Sequence, residues 1–435
     1  MLQLILLKPM TDESYSRSWP APSAESPLLA TISLPGSKSL TNRELLLSAI
    51  ADSPTTLLDP LQSRDTNLMI QALLSLGVGV EFSEGKAVVT PGPLKASGKI
   101  DCGLAGTVMR FVPGLAALST GEVFFDGDQA ARSRPMKTTL DALRGLGVRV
   151  SGDGLPFTIY GQGEVEGGEI EIDASASSQF VSGLLLVAAK FKNGLIIRHV
   201  GEHLPSMPHI DMTVQCLQSR GVQASKIGEA SWQVLPGEIS GGTIQIEPDL
   251  SNAGPFLAAA MVTGGQIRIK NWPSKTTQVG DKFDGLLQQM GASISRLEND
   301  LVISGTGEIH GIDIDLSLGG ELSPVIAALA ALADAKTTIR GVAHLRGHET
   351  DRLKALVSEI NALGGKAIET ADGMIIEPAK MHGGTWKTYE DHRMATAGAI
   401  IGLKVPGVLI EDITVTSKTI PEFAKLWQQM FEAGF

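Results

Sequence analysis

Lysine, arginine and hydroxyl side chains gather at one kind of place in this sequence, the few residues just ahead of Ala/Leu-rich stretches. PGSKSLTNRELLLSAIA carries Ser37, Lys38, Ser39 and Arg43. CGLAGTVMRFVPGLAALS carries Gly106, Thr107 and Arg110, with Arg132, Arg134 and Lys137 further on. ASASSQFVSGLLLVAAK offers Ser177, Ser178 and Gln179, GGELSPVIAALAALA offers Glu321, and YEDHRMATAGAIIGL offers Asp391, His392 and Arg393. If each stretch is a helix, its first turn presents unpaired N–H groups and the positive end of the helix dipole. Such a corner takes anions, and hydroxyl, Lys and Arg side chains add charge-assisted donors. A single Arg or Lys is more often a solvated surface residue. The set, recurring at one kind of corner, points instead to a cleft for small, highly charged anions.

Residues 344–353, HLRGHETDRL, form the densest constellation. A helix beginning at Gly347 sets His348 and Arg352 four apart on one face, beside Glu349. H-E-x-x-R lacks the second His of a zinc-protease helix, and no metal is expected. A carboxylate among cations can relay protons. The bland alternative is a capped helix start with a charge network.

These cations stand out because the chain is acidic, with 36 Lys and Arg against 47 Asp and Glu, a formal charge of −11. That argues against a generally basic nucleic-acid binder. The 435 residues, 43% hydrophobic and 19% charged, suffice for a large core in two or three domains. A disordered chain or a fibre is excluded. Cys102 and Cys216 are the only cysteines, too few for a disulfide framework or a Cys-rich metal site. No segment has the roughly 18 apolar residues of a membrane span. The apolar run 2–7 is short and lacks a basic leader, so a secretory signal is not expected. Residues 1–18 read as a flexible extension, and the cytoplasm is the expected location.

The elements that must position the corners form a repeat. An aliphatic residue, three residues and then Gly recurs in LLSLGVGVEF at Gly77, LRGLGVRVSG at Gly147, LQSRGVQASK at Gly221, LQQMGASISR at Gly291 and INALGGKAIE at Gly364. MFEAG adds Gly434, and the successive spacings are 70, 74, 70, 73 and 70. Each period reads as strand, turn, helix, strand, helix, Gly turn, strand, strand. The Gly suits a left-handed helix cap, and VRVSGDGLPFTIY reads as a hairpin with DG at its turn. The Ala-rich helices are apolar nearly all round and should be interior. Six α/β units can close as one ring or as two bundles of three.

PGSKSLTNR, GLAGTVMR, RSRPM, ASASSQF, GHETDRL, YEDHRMA and SKTIPEF, in that order, resemble the 3-phosphoshikimate 1-carboxyvinyltransferase (EPSP synthase) family from about Trp19 to the C-terminus. Glu321 and the HLRGHETDR wording are similar to an actinobacterial-like branch. The resemblance implies transfer of the enolpyruvyl group of phosphoenolpyruvate to the 5-hydroxyl of shikimate 3-phosphate. Phosphate leaves by addition and elimination, without metal or organic cofactor. It implies a two-domain inverse α/β barrel, three βαβαββ units per domain. One domain covers 34–246, and the other 1–33 plus 247–435. A monomer acting on these two small molecules, with no nucleic acid or membrane partner, is expected.

By the same resemblance, Lys38 touches both substrates, and Ser39, Arg43, Ser177, Ser178 and Ser206 hold shikimate 3-phosphate. Gln179 reaches both. Gly106 lays backbone against phosphoenolpyruvate, as in the family's glyphosate-sensitive arrangement, and Arg134, Arg352, Arg393 and Lys418 clamp that substrate. Glu321, where other members carry Asp, is the base for the 5-hydroxyl and contacts shikimate 3-phosphate. Glu349 and Lys38 compete as proton donor to the methylene carbon. His348, where Lys is common, falls at a shikimate 3-phosphate position. His209 stands where Tyr is common, and His344 where Asn is frequent. Two rivals remain open. One is the UDP-N-acetylglucosamine enolpyruvyl transferase, whose mobile loop carries a Cys that GDQAARSRPMK lacks. The other is a non-catalytic anion-binding repeat protein, which has no need of Glu321 and Glu349 beside the cations.

Overall fold

The computed structural model describes residues 17–83, 85–96, 98–347 and 349–432. They form five four-stranded sheets and one three-stranded sheet. The second period shows the unit in full. Strand Gly98–Asp101, helix Gly106–Ala117, strand Thr120–Asp126 and helix Lys137–Gly145 lead to strands Arg149–Ser151 and Phe157–Gln162. The first two strands pair in parallel and the last two add antiparallel. The mixed α/β fold read from the periodicity is therefore present. The glycines closing the outer helices, Gly77, Gly147, Gly221, Gly291 and Gly364, have φ of +88°, +86°, +82°, +103° and +84°. A left-handed residue there turns the chain from helix into hairpin, and only glycine adopts it without steric cost.

The first and fourth periods exchange their opening strands. Leu29–Ile32 runs parallel to Gln266–Ile269 of the fourth, and Gly242–Gln245 runs parallel to Thr55–Leu58 of the first. The chain thereby passes twice between two hydrophobic cores. One core gathers residues between 45 and 246, the other residues 19–32 and 250–430. The two passages touch at an antiparallel bridge between Gly36 and Pro248. Trp19–Pro20 supplies an antiparallel partner to Val408–Ile410 of the sixth period, whose closing Gly434 lies outside the described residues.

The Ala-rich helices are interior, as their all-round apolarity requires. Gly106–Ala117 is buried at all twelve positions and Ser323–Ala330 at all eight. Packing is backbone to backbone in places: a Cβ on Gly183 would lie 2.2 Å from the Arg110 carbonyl.

One local expectation holds and one is corrected. Strands 149–151 and 157–162 form the expected hairpin with DG in its turn, which spans the five residues GDGLP. Pro156 has no N–H to give a tighter ladder, so pairing ends at Ser151 and Thr158. The helix expected from Gly347 begins at Arg352, because Asp351 caps it by accepting the Lys354 N–H at 3.1 Å. Residues Ala343–Gly347 form a separate 3-10 turn.

Candidate active site

The six interior helices begin at one place. Lys38–Ala49, Gly106–Ala117, Gln179–Ala188, Leu250–Thr263, Ser323–Ala330 and His392–Gly402 all start beside a single cleft between the two cores. Their opening turns, or the residues just before them, contribute Ser37, Lys38, Ser39, Gly106, Thr107, Ser177, Ser178, Gln179, Asp249, Ser251, Glu321, His392 and Arg393 to its lining. The outer elements add Asp65, Arg134, Ser206, His209, Gln278, His344, Glu349, Arg352 and Lys418. The corners picked out in the sequence thus converge on one concave surface.

On the wall from the first half, the Arg110 guanidinium donates to the Pro135 carbonyl at 3.1 Å and lies 5.9 Å from the centre of the Phe180 ring. Arg134 donates to the Leu104 carbonyl at 3.0 Å. Neither makes an ion pair among the described residues. Burial, then the neighbouring Arg134, holds Arg110 well below the usual arginine range. A Cβ on Gly106 would stand 3.1 Å from Arg110 Nη1, Arg134 Nη2 and Gln179 Oε1 alike. Three polar side chains therefore crowd the bare Gly106 backbone. The helix at Gly106 has no side-chain cap, which leaves its first N–H groups open to a ligand, whereas the Gln179 N–H donates to the Ser177 hydroxyl at 3.2 Å.

The opposite wall is a paired network. Arg352 donates to both Asp391 oxygens, at 2.7 and 3.2 Å, and to Glu349 at 2.8 Å. Lys418 donates to the other Glu349 oxygen at 2.6 Å. Burial works against the Glu349 charge, but Lys418 and Arg352 more than offset it and hold the carboxyl well below the usual range. Arg393 donates to the Glu321 carbonyl at 3.1 Å. The Glu321 carboxylate sits 3.1 and 3.3 Å from His209 Nε2, which belongs to the first wall, and 3.4 Å from the Ser251 hydroxyl.

Lys38 joins the walls. Its ammonium lies 3.4 Å from Asp65, and its backbone N–H donates to the helix-capping Asp249 at 3.2 Å. Burial lowers the Lys38 pKa, opposed by Asp65 and assisted by Lys418. Burial raises that of Asp249, against the nearby Arg393. His344 and His392 are both pushed below the usual histidine range by burial, and His392 further by Arg393 and Lys38.

Of the residues singled out in the sequence, Lys38, Ser39, Gly106, Arg134, Ser177, Ser178, Gln179, Ser206, Glu321, Glu349, Arg352, Arg393 and Lys418 line the cleft. Arg43 does not. It is 1% exposed and its guanidinium is spent on Thr213 and on the carbonyls of Ser39 and His209. Arg132 and Lys137 lie on the exterior, paired with Asp126 and Asp141. His348 lies outside the described residues. Sequence reading passed over Asp65, Asp249, Ser251 and Gln278. The signal for Asp249 and Ser251 was present in DLSNAG, the fourth-period corner, but no cation there drew attention to it.

Residues 22–427 match the family model described as EPSP synthase (3-phosphoshikimate 1-carboxyvinyltransferase). A curated 3-phosphoshikimate 1-carboxyvinyltransferase of Kocuria rhizophila is 52% identical over 427 residues, 95% of this chain and 96% of that protein. Among solved structures, EPSP synthase from Acinetobacter baumannii superposes with a TM-score of 0.81 at 24% identity, covering 95% of this chain and 98% of that one. The enolpyruvyl transferase NikO from Streptomyces tendae gives 0.75 at 15% identity, covering 94% and 96%. The two structures speak to the fold, which they share, and the sequence matches speak to the family. Spanning nearly the whole chain and agreeing with the motif order, they settle the family: the chain belongs to the EPSP synthases, transferases of the enolpyruvyl class.

Proposed function

We propose that this chain joins phosphoenolpyruvate to shikimate 3-phosphate, a step of the shikimate pathway to aromatic amino acids, in the cleft between the two walls. The observation that carries the reading is the meeting of Arg110, Arg134, Arg352, Arg393 and Lys418 in one cleft, with Glu321 at its edge. Ser39, Ser177, Ser178 and Ser206 hold shikimate 3-phosphate, and Gln179 reaches both substrates. Arg134, Arg352, Arg393 and Lys418 clamp phosphoenolpyruvate over the bare Gly106 backbone.

Glu321 takes the 5-hydroxyl proton as that oxygen attacks C2 of phosphoenolpyruvate. A proton goes to the methylene carbon C3. The resulting methyl group then loses a proton as the C2–O bond to phosphate breaks. The charge network favours Lys38 over Glu349 as the donor to C3. Lys38 is eased toward losing a proton by burial, whereas Glu349 is held ionised by Lys418 and Arg352. Cations fixed in the cleft also stabilise the charge that develops on the departing phosphate. Arg43 also steadies Ser39 by donating to its carbonyl at 2.9 Å.

Two domains, 34–246 and 1–33 with 247–435, close on each other in this reading, which the two separate cores support. The working state is a cytoplasmic monomer. Among the described residues no helix is long and apolar enough to cross a membrane. The test is phosphate release by the purified protein. It should need both substrates together, and folded protein that releases none with the pair would refute the assignment.

A further inference from the structure

Glu321 reaches the cleft from the 3-10 turn Gly320–Leu322 of the second half. A glutamate side chain has three torsions, so its carboxylate holds one position only where partners fix it. One partner, the Ser251 hydroxyl at 3.4 Å, is weak and comes from the same half. The closer one is His209 Nε2, at 3.1 Å from one oxygen and 3.3 Å from the other, and it comes from the opposite half.

His209 is itself held firmly. It lies in the first turn of helix Met207–Ser219, and its N–H donates to the Ser206 carbonyl at 3.0 Å. Its own carbonyl accepts from Arg43 at 2.9 Å, from the Thr213 hydroxyl at 3.0 Å and from the Ser182 hydroxyl at 3.4 Å. This gives the buried Arg43 a part in holding the His209 backbone. Arg393, Arg352, His344 and Arg43 are among the charged or titratable groups that act on Glu321. The His209 ring stands at hydrogen-bond distance from both carboxylate oxygens.

We propose that His209 is a positioning residue for the base, setting the Glu321 carboxylate from the opposite wall so that closing the cleft and arming the base are one event. The idea rests on the reading of Glu321 as the base for the 5-hydroxyl. In that reading the acceptor substrate is held by serines of the first half, while the base belongs to the second. A ring carried on a backbone anchored in the first half puts the base in register with the hydroxyl it must deprotonate.

The test is steady-state kinetics on His209→Ala, His209→Gln, Glu321→Gln and the His209→Ala/Glu321→Gln double variant, with thermal midpoints alongside. His209→Ala should lower kcat about 10- to 100-fold, with KM for shikimate 3-phosphate changed by less than about threefold. Gln carries an amide donor close to the place of Nε2, so His209→Gln should recover most of the loss. On the Glu321→Gln background, His209→Ala should cost less than about twofold, since it acts through the group already removed. A kcat unaffected by His209→Ala, losses that multiply in the double variant, or a midpoint drop shared equally by the Ala and Gln variants would overturn the proposal. An inert parent protein would sink the reaction assignment instead, so the two failures are distinct.

Discussion

Arg134 and Arg352 face the same cleft from opposite walls, yet they are held in different ways. Arg134 and its neighbour Arg110 lean on backbone carbonyls, among hydroxyls and a bare glycine. Arg352 is 2% exposed and tied to two carboxylates, one of which, Glu349, also holds Lys418. The first wall therefore offers guanidiniums that Glu349 attracts from a distance but that no carboxylate holds in an ion pair among the described residues. On the second wall Arg352 and Lys418 already have carboxylate partners, while Arg393 has the Glu321 carbonyl. An anion binding there must take over bonds that Glu349 now makes. The two walls present one cation field with two different resting states.

Arg393→Ala probes the second wall most severely. Its backbone bonds the capping Asp391 and the Thr396 hydroxyl, and its guanidinium donates to the Glu321 carbonyl. Little structure rests on it, so kcat/KM for phosphoenolpyruvate should fall about 10³-fold while the thermal midpoint moves little. Comparable losses in both would make Arg393 structural and remove the contrast between the walls.

The resting network predicts a pH effect of intermediate size. The Glu349 carboxyl is held well below its ordinary range, so its contribution to stability is complete above that range. It drains away as pH falls through the lower native value. Glu349→Gln should flatten the acid limb of the midpoint against pH, read from about pH 6 down to about pH 3. Parallel limbs in parent and variant would mean the pairing carries no stability.

The smallest effect belongs to the first wall. Ser178→Ala removes one hydroxyl among several neutral donors. KM for shikimate 3-phosphate should rise only about 3- to 10-fold, on the order of 1 kcal/mol, with kcat kept. A loss as large as that of Arg393→Ala would erase the distinction between a wall of many weak donors and a wall of few strong ones.

Much of this arrangement was legible in the residues. The spacing of Gly77, Gly147, Gly221, Gly291 and Gly364 gave the unit, because a left-handed cap leaves a mark in composition. The all-apolar helices announced the interior, and the polar corners announced the cleft. Arg43, one turn beyond Ser39, spends its guanidinium on Thr213 and on the carbonyls of Ser39 and His209, partners that only the fold brings together. Arg132 and Lys137 misled because local sequence does not tell a cation turned inward from one turned to solvent. Asp249 and Gln278 went unseen because their weight comes from partners far along the chain: Lys38 for one, Glu247 and Leu250 for the other.

By itself the sequence determined the repeating unit, the interior helices and the chemical kind of ligand, since periodicity, apolarity and charge are local properties written residue by residue. Only the tertiary structure decided which opening strands change places between the first and fourth periods. It alone also decided which cations meet a carboxylate, and that His209 reaches Glu321 across 112 positions of chain. Those outcomes depend on how separate units pack, where burial and long-range pairing compete, and no single stretch of residues contains that balance.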